Sequence, residues 1–424
     1  MKSWIEISEQ RVWENVGAIR AVAGRDTQLL AVIKADGYGH GAELMAPVLA
    51  DAGVAWLGVG DVEEGVRVRR ALSGLRGGRG AGDGSKDEVR LLVMCGMEPG
   101  DAAAMMEHGL TPVVWTREHL RAMEDAAGAV VDPTRPGDKT AGTDGAPRVV
   151  EGRDDSRVRV HVEIDSGMAR QGARPGKELA GFLEELRRCG HVRCEGVFSH
   201  LSSSEVRRAE QTKRQLGEFG RALEQVRASG VRPEWVHLAN SSAVDVGETA
   251  EWMRQQARAM SARVLVRPGI AVYGYCLAIE GGSGALSRSG ELAARLKPVM
   301  TWKTRVIGLR EIQAGQTVGY GATFVAQRAM KLALLPVGYA DGFRREASSG
   351  IGGGWVMIRG ERAAVVGRVS MNLMVVDVSS IDGVKVGDEV VLLGEGVTAE
   401  DHARWCGTIA YEILCGIRGS AKLV

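Results

Sequence analysis

Over the first two-thirds of the chain, short apolar runs alternate with longer segments of helical periodicity. Eight runs are nearly continuous in apolar residues, and they occupy residues 29–34, 56–60, 89–94, 112–116, 158–165, 195–200, 235–240 and 264–270. Such runs are typical of strands that are buried on both faces of a parallel sheet. Eight alternations of strand and helix predict an α/β fold, a (β/α)8 barrel of the TIM type, over residues 1–285.

The segments between these runs are of two kinds. Residues 8–23 predict a helix, because apolar residues recur from Val12 at a spacing of three to four and Gly24 follows as a terminator. Residues 74–86 and 132–156 instead are rich in Gly, Asp and Pro and show no periodicity. We expect these two stretches to be mobile surface insertions between barrel elements.

The pattern changes after a Gly- and Ser-rich linker at residues 281–289. From Lys297 onward, short strands separated by Gly turns are predicted at residues 300–309, 318–320, 331–336, 355–358, 363–366, 373–378 and 389–393. A helix is predicted only near residues 398–406. We therefore expect a second, mostly β domain over residues 297–424, which is within the usual size range of a domain.

Composition narrows the classes of function. The formal net charge of +1 gives no electrostatic reason to expect nucleic acid or an anionic membrane as a partner. No run of 18 apolar residues occurs, and the first residues lack the apolar core of a signal peptide, so a cytoplasmic enzyme is expected. The six cysteines lack the paired spacing of a zinc site, and no metal is predicted.

Polar residues lie where the predicted barrel strands end. They are Lys34, Asp165, His200, Asn240 and Arg267. Because a (β/α)8 barrel carries its active site at the carboxyl ends of its strands, this placement predicts a catalytic centre at that end.

Lys34 ends an apolar run, where an ammonium group is costly to bury. On position alone two interpretations stay open: a lysine that reaches back to solvent, or an amine kept neutral to form a Schiff base. The glycines that follow, Gly37, Gly39 and Gly41, allow a bound group to approach the backbone closely and favour the second interpretation.

The chain resembles the alanine racemase family at nine motifs in the family order. They are AVIKADGYGHG at residues 31–41, IDSGMAR at 164–170, FSH at 198–200, LANSS at 238–242, VRPGI with YG at 266–274, VGYGA at 318–322, PVGYADG at 336–342, GRVSMN at 367–372 and YE at 411–412. The resemblance covers nearly the whole chain except the two Gly-rich stretches and the linker.

The resemblance implies a cytoplasmic enzyme that interconverts L-alanine and D-alanine with pyridoxal 5'-phosphate (PLP) and supplies D-alanine for peptidoglycan. It implies that Lys34 forms the Schiff base and that Tyr320 is the second acid–base residue on the opposite face. Tyrosine has a high ordinary pKa, so it needs a polar or cationic neighbour, and His200 beside Arg267 matches that position. Arg267 matches the residue that donates to the pyridine nitrogen; it has donors only, which favours a racemase over a decarboxylase.

The resemblance also implies a set of binding residues. The phosphate contacts are Tyr38, Ser241, the backbone amides of Gly269 and Ile270, and Tyr411, with Asn240 behind them. Arg170 matches the residue at the phenolic oxygen of the cofactor and the substrate carboxylate, and Met371 contributes an amide to that carboxylate. The family further implies a homodimer in which each active site is shared between two chains.

Two positions depart from the family pattern. Asn372 stands where the family most often has Asp, which removes a charge near the entrance. Glu163 stands where many members carry a lysine that becomes a carbamate, and we interpret it as an encoded carboxylate that supports Arg170. A broader-specificity amino-acid racemase, a related barrel decarboxylase and a non-enzymatic PLP carrier remain as alternatives. The carrier has no second domain, which counts against it.

Overall fold

The computed structural model describes residues 2–74, 89–131, 157–281 and 290–424. Within these residues eight parallel strands close into a barrel, in chain order β2 (Thr27–Val32), β3 (Trp56–Val59), β4 (Arg90–Val93), β5 (Leu110–Val114), β6 (Val158–Glu163), β7 (Val192–Phe198), β8 (Trp235–His237) and β9 (Arg263–Val266). The barrel closes where β9 pairs with β2, with Val264 opposite Thr27. The predicted barrel is confirmed, and each of its strands overlaps one of the eight apolar runs.

Helices surround the barrel. They are α1 (Glu9–Ala23), α2 (Lys34–Tyr38), α3 (Ala42–Asp51), α4 (Val62–Gly74), α5 (Ala102–Glu107), α6 (Arg117–Val131), α7 (Lys177–Arg188), α8 (Glu210–Ala228), α9 (Ser241–Val246) and α10 (Ala250–Ala259). The helix predicted at residues 8–23 is confirmed: the Ser8 hydroxyl accepts a hydrogen bond from the amide of Arg11, and Gly24 ends the helix with φ of 94°. Apart from Gly74 and Gly281, the two Gly-rich stretches and the linker lie outside the described residues.

The rest of the chain builds a second sheet. In the described residues it has nine strands, in the order β11-β14-β17-β16-β15-β18-β10-β1-β19. Their bounds are β1 (Ser3–Ile7), β10 (Met300–Arg305), β11 (Gly308–Ile312), β14 (Met330–Leu335), β15 (Trp355–Ile358), β16 (Glu361–Val366), β17 (Met374–Asp377), β18 (Glu389–Leu393) and β19 (Ser420–Leu423). A separate hairpin joins β12 (Thr317–Val318) and β13 (Phe324–Val325), and two helices, α11 (Ala399–Cys406) and α12 (Ala410–Gly416), precede β19.

The first strand of the chain belongs to this second sheet. Ile5 of β1 lies opposite Trp302 in an antiparallel pair and opposite Ala421 in a parallel pair. The domain division expected from the sequence assigns these residues to the barrel, whereas the structure places them between β10 and β19. Their pairing partners are about 300 to 400 positions away in the sequence, so no local pattern indicates them.

Burial explains why the two sheets differ in their sequence pattern. Every residue of β3 and β5 is buried, because helices cover the barrel outside and side chains fill it inside. Along β10, buried residues alternate with more exposed ones, as in a sheet with one solvent-facing side. Among the described residues, no helix is both long enough and apolar enough to cross a membrane. The six cysteines are all described, and all are free thiols.

Candidate active site

Lys34 lies in an unusual backbone turn at the carboxyl end of β2. The four residues after it, Ala35, Asp36, Gly37 and Tyr38, have φ values of 55°, 53°, 61° and 54°, which form a turn of left-handed helix. Non-glycine residues adopt this conformation at a cost of about 1–2 kcal/mol each. Such strain persists only where surrounding contacts hold it in place.

The carboxylate of Glu64 supplies part of that hold. This buried side chain of α4 accepts hydrogen bonds from the amides of Asp36 at 2.8 Å and Gly60 at 2.7 Å. The Asp36 carboxylate in turn accepts from the amide of Ala42 at 2.8 Å. A Cβ placed on Gly60 would lie 3.5 Å from Lys34 Cβ, so the lysine stem passes over this glycine. Glu64 thus connects the turn of Lys34 to the neighbouring strand.

A second group of residues gathers at the ends of β8 and β9. The side chain of Asn240 accepts a hydrogen bond from the amide of Ala243 at 2.9 Å and so caps α9. The hydroxyl of Ser241 accepts from the amides of Gly269 at 3.0 Å and Ala271 at 3.2 Å. Asn240 therefore orients the start of α9, and Ser241 joins it to the loop after β9.

Tyr38 and Tyr411 lie beside this loop. A Cβ on Gly269 would lie 2.2 Å from the Tyr38 hydroxyl, so only glycine allows the tyrosine to come so close. The Tyr411 ring lies 5.9 Å from the Tyr38 ring, and the buried Ile270 follows Gly269. Tyr273 is fully buried against Tyr38, with ring centroids 5.0 Å apart, and is a packing residue. The structure thus brings together all five residues that the sequence assigned to the phosphate.

Arg267 is buried at the end of β9 and donates most of its N–H groups to the protein. Nη1 donates to His237 Nδ1 at 3.0 Å, and Nη2 lies 2.8 Å from the Ser199 carbonyl and 3.3 Å from His200 Nδ1. Nε has no hydrogen-bond partner among the described residues. Burial lowers the pKa of Arg267 to about 10, so the guanidinium stays charged at neutral pH. A buried charged N–H without an acceptor indicates that a bound group supplies one.

His200 lies next to Arg267, as the sequence predicted. Burial lowers its pKa to about 3, and the charges of Arg267, Arg170 and Lys34 act in the same direction. His200 is therefore neutral near pH 7. Because arginine has donors only, Nδ1 of His200 accepts and its proton is on Nε2. The backbone carbonyl of His200 is held by Gln215 at 2.8 Å.

Glu163 ends β6 in a buried position, and its direct partner is Gln171. The Gln171 amide donates to the Glu163 carboxylate and also to the Met94 carbonyl, the latter at 3.0 Å. Burial raises the pKa of Glu163, against the Gln171 hydrogen bond and the charges of Arg267 and Arg170. Arg170 is exposed and acts on Glu163 through charge. Gln171 thus holds the carboxylate, and the support of Arg170 by Glu163 stays a prediction.

Asp165, the remaining polar residue at a strand end, shapes the loop that precedes Arg170. Its Oδ1 accepts from the amides of Gly167, Met168 and Ala169, each at 3.0 Å. These contacts make Asp165 a turn-forming residue rather than a candidate catalyst.

Tyr320 and Met371 lie on the surface of the β-rich part, away from this cluster. Their side chains are 70% and 56% exposed, and Asn372 is exposed beside them. The half-exposed Tyr339 adjoins the same loop, because its amide donates to the Ser370 carbonyl at 3.0 Å. No hydrogen bond or ring contact within the described ranges joins the side chains of Tyr320 or Met371 to the barrel end. We call the surface formed by the exposed residues Tyr320, Tyr339, Met371, Asn372 and Leu373 the β-domain face.

Sequence reasoning missed three contributors, Glu64, Gln171 and His237. Glu64 lies in an ordinary helical pattern, and the sequence does not show that its carboxylate accepts hydrogen bonds from the amides of Asp36 and Gly60 on two other loops. His237 was inside a predicted strand, where a polar residue between apolar neighbours was the available signal.

Comparison with known proteins gives the family. A model of the alanine racemase N-terminal domain matches residues 7–276, and a model of the alanine racemase C-terminal domain matches residues 299–424. The chain belongs to the alanine racemase family. The first match spans all eight barrel strands of this chain, β2 to β9, and the second spans the strands from β10 to β19.

Individual members of the alanine racemase family are similar over nearly their full length. The chain is 35% identical over 420 residues to alanine racemase from Symbiobacterium thermophilum, covering 98% of this chain and 94% of that one. Its fold resembles solved alanine racemase from Clostridium difficile 630, with a TM-score of 0.80, 27% identity and coverage of 100% and 96%. Alanine racemase from Bartonella henselae, solved with covalently bound pyridoxal phosphate, shares the fold at a TM-score of 0.76, 23% identity and coverage of 100% of both chains.

Proposed function

We propose that this protein is an alanine racemase that interconverts L-alanine and D-alanine, with PLP bound covalently through Lys34. The observation that carries the proposal is the pairing of two features at one end of the barrel. Lys34 is held in a strained turn at the end of β2. Arg267 lies at the end of the adjacent β9, and its buried Nε–H has no hydrogen-bond acceptor among the described residues, which indicates that a bound group supplies one. Membership of the family supports the same assignment.

The residues present fit PLP. Lys34 would bind its aldehyde carbon, Arg267 its ring nitrogen and Arg170 its phenolic oxygen, with His200 beside the ring. The phosphate would meet the group formed by Tyr38, Ser241, Tyr411 and the amides of Gly269 and Ile270. When bound, PLP withdraws electrons from the substrate α-carbon and makes its proton easier to remove.

Arg267 favours racemisation among the reactions that PLP supports. Its guanidinium has five N–H donors and no acceptor, so it holds the ring nitrogen as an acceptor. A decarboxylase of the same barrel class typically places a carboxylate there, which keeps the ring nitrogen protonated. The residue type at position 267 thus opposes the decarboxylase alternative.

Racemisation needs one proton-transfer group on each face of the substrate, and Lys34 and Tyr320 fill these roles. The Lys34 amine takes or returns the α-proton on one face. Tyr320 is exposed on the β-domain face, so we infer that the partner subunit's Tyr320 serves the other face in a homodimer. The neutral His200, with its proton on Nε2, would be the donor toward that hydroxyl.

The β-domain face has the character of a subunit interface. Tyr320, Tyr339, Met371 and Leu373 are each more than 40% exposed, and large apolar side chains grouped in this way mark interaction surfaces. In the homodimer the backbone amide of Met371 would bind the substrate carboxylate, and Asn372 would lie at the entrance. We infer that the D-alanine produced supplies peptidoglycan.

The function is tested by incubating the purified protein with single L-amino acids and separating the enantiomers by chiral chromatography. Alanine should racemise fastest, whereas equal conversion of many amino acids would indicate the broader-specificity alternative. Release of carbon dioxide without D-alanine would indicate a decarboxylase. In parallel, borohydride reduction should remove the visible absorbance and add the cofactor mass to the peptide that contains Lys34. A mass shift on another lysine, or on none, overturns the assignment.

A further inference from the structure

A row of buried polar side chains extends from Arg267 through the inside of the barrel. Arg267 Nη1 donates a hydrogen bond to Nδ1 of His237 on β8. The other ring nitrogen of His237, Nε2, lies 3.0 Å from Nδ1 of His161 on β6. The Nε2 of His161 lies 3.4 Å from Glu195 Oε2 on β7. His161, His237 and Glu195 are each 0% exposed. Four polar groups in sequence through a barrel core are costly unless each donor meets an acceptor.

The two ends of the row determine the direction of every hydrogen bond. Arg267 can only donate, so His237 Nδ1 accepts, and the proton of neutral His237 is on Nε2. That proton is donated to His161 Nδ1, which leaves the His161 proton on Nε2, facing Glu195. This last contact lacks hydrogen-bond geometry in the structure, and Nε2 of His161 has no hydrogen-bond partner among the described residues, so the Glu195 carboxylate at 3.4 Å is the acceptor within its reach. The Glu195 carboxylate can only accept.

Glu195 is fixed at the far end of the row. Arg90 donates to both carboxylate oxygens, to Oε2 at 2.6 Å, and Arg159 lies 3.7 Å from Oε1. Burial raises the pKa of Glu195, but the contacts with His161 and Arg90 outweigh burial and lower it to about 2. Glu195 is therefore a permanent negative charge at neutral pH.

The barrel wall leaves space for this arrangement at one position. A Cβ on Gly196 would lie 2.5 Å from His161 Nδ1, the atom that accepts from His237. The His237 ring stacks on Phe198, with centroids 4.5 Å apart, and the His161 ring packs on Trp56 at 5.2 Å. Neither histidine ring can turn freely, and a larger residue at position 196 would displace His161.

We propose that His237, His161 and Glu195 form a one-way hydrogen-bond chain that positions Arg267, so that its Nε–H is the donor left for the ring nitrogen of the cofactor. The proposal rests on the proposed function for the identity of that acceptor. The three residues are positioning residues, because they act through Arg267 and do not touch the substrate. The chain holds both histidines neutral, since an additional proton on either would place two donors face to face.

The direction of the chain can be measured directly by nitrogen NMR on protein with labelled histidine. Both His161 and His237 should be the Nε2–H tautomer between pH 6 and 9, in the cofactor-free and in the loaded protein. Signals are assigned with His161→Phe and His237→Phe. A proton on Nδ1 of either residue, or a charged imidazole, overturns the proposal whether or not the protein is a racemase.

The consequence for Arg267 is tested with Glu195→Gln. Glutamine replaces one acceptor oxygen by an NH2 donor, so at least one N–H of Arg90 or His161 then faces a donor, and the negative charge at the end of the row is lost. The matched control is Glu234→Gln, since Glu234 lies at the same end of the barrel and pairs with Arg193 at 3.0 Å and Arg263 at 3.8 Å. A second variant, Gly196→Ala, displaces His161 without removing a charge.

Cofactor affinity, followed by absorbance, should weaken about 10-fold or more in Glu195→Gln and Gly196→Ala, the size of one charge-assisted hydrogen bond. The turnover number should fall while KM for alanine changes little, and Glu234→Gln should behave as the wild type. Wild-type affinity and turnover in both test variants would contradict the proposal. A wild-type protein that binds no PLP would instead overturn the proposed function, so the two failures are distinct.

Discussion

The Glu64 carboxylate lies 2.8 Å from the backbone nitrogen of Asp36, and this contact anchors the left-handed turn that carries Lys34. The other oxygen of the same carboxylate accepts from Gly60 at 2.7 Å. One buried side chain thus satisfies amides from two loops, and the amine of Lys34 depends on both loops for its position.

We expect Glu64→Gln to lower turnover by roughly 10-fold, because glutamine has one acceptor oxygen for two amide donors and leaves a charge-assisted hydrogen bond unmade. Cofactor loading of Lys34, measured by absorbance and peptide mass, should also be incomplete. Glu63→Gln is the matched control, since the neighbouring Glu63 is 88% exposed and pairs only loosely with Arg67 at 3.4 Å. Equal loading and turnover in the two variants would show that Glu64 does not position the turn.

Glu163 gives a prediction about substrate binding. Glu163→Gln removes a buried negative charge near Arg170 and should raise KM for alanine by about 10-fold, the scale of one charge-assisted interaction. Added bicarbonate should change nothing in this variant or in the wild type. Glu163→Lys, in contrast, should regain activity when bicarbonate is supplied, because a carbamate restores the carboxylate. Unchanged kinetics in Glu163→Gln would show that the residue only packs against Gln171.

The exposure of Tyr320 predicts complementation between inactive variants. Lys34→Ala and Tyr320→Phe should each be nearly inactive, since loss of a positioned acid–base group costs on the order of 10²–10⁴ in rate. In a mixed dimer with shared sites, one site receives both defects and the other receives neither. Activity should therefore return on mixing and subunit exchange.

Separation of the mixed dimer by two different affinity tags provides the control for exchange. Mixed dimers that form and remain inactive would place Lys34 and Tyr320 of each site in the same chain.

Buried histidines predict loss of stability in mild acid. Burial lowers the pKa of His402 and of His40 to about 4 and that of His200 to about 3, so each is neutral in the folded protein and takes a proton more readily when unfolded. The stability that they contribute is present above pH 6.5 and is lost as pH falls toward the folded pKa. For His402 the loss between pH 7 and pH 5 is about 2 kcal/mol.

His402→Gln tests this contribution, because glutamine can keep the hydrogen bond to the Leu392 carbonyl that His402 Nε2 makes at 2.8 Å. The melting temperature of this variant should fall less between pH 7 and pH 5 than that of the wild type. Parallel melting curves would mean that His402 titrates alike in the folded and unfolded protein.

The sequence alone was sufficient for the barrel, and it named as candidates several polar residues that the structure places at the ends of the barrel strands. Residues 29–34 and 264–270 predict buried strands because a strand covered on both faces must be apolar along its whole length. The strand ends could be recognised because Lys34 and Arg267 interrupt apolar runs. Apolar runs and helical periodicity involve residues that are close together in the sequence, so a single sequence shows them.

Only the tertiary structure decided which distant groups meet. It placed β1 between β10 and β19, paired Glu163 with Gln171, and aligned His161 with Glu195 beneath Arg267. It also showed that Tyr320 is exposed on a separate face of the chain. Hydrogen bonds depend on distances of about 3 Å and on the direction of each donor. Those quantities are set by the packing of whole elements, and no spacing along the chain contains them.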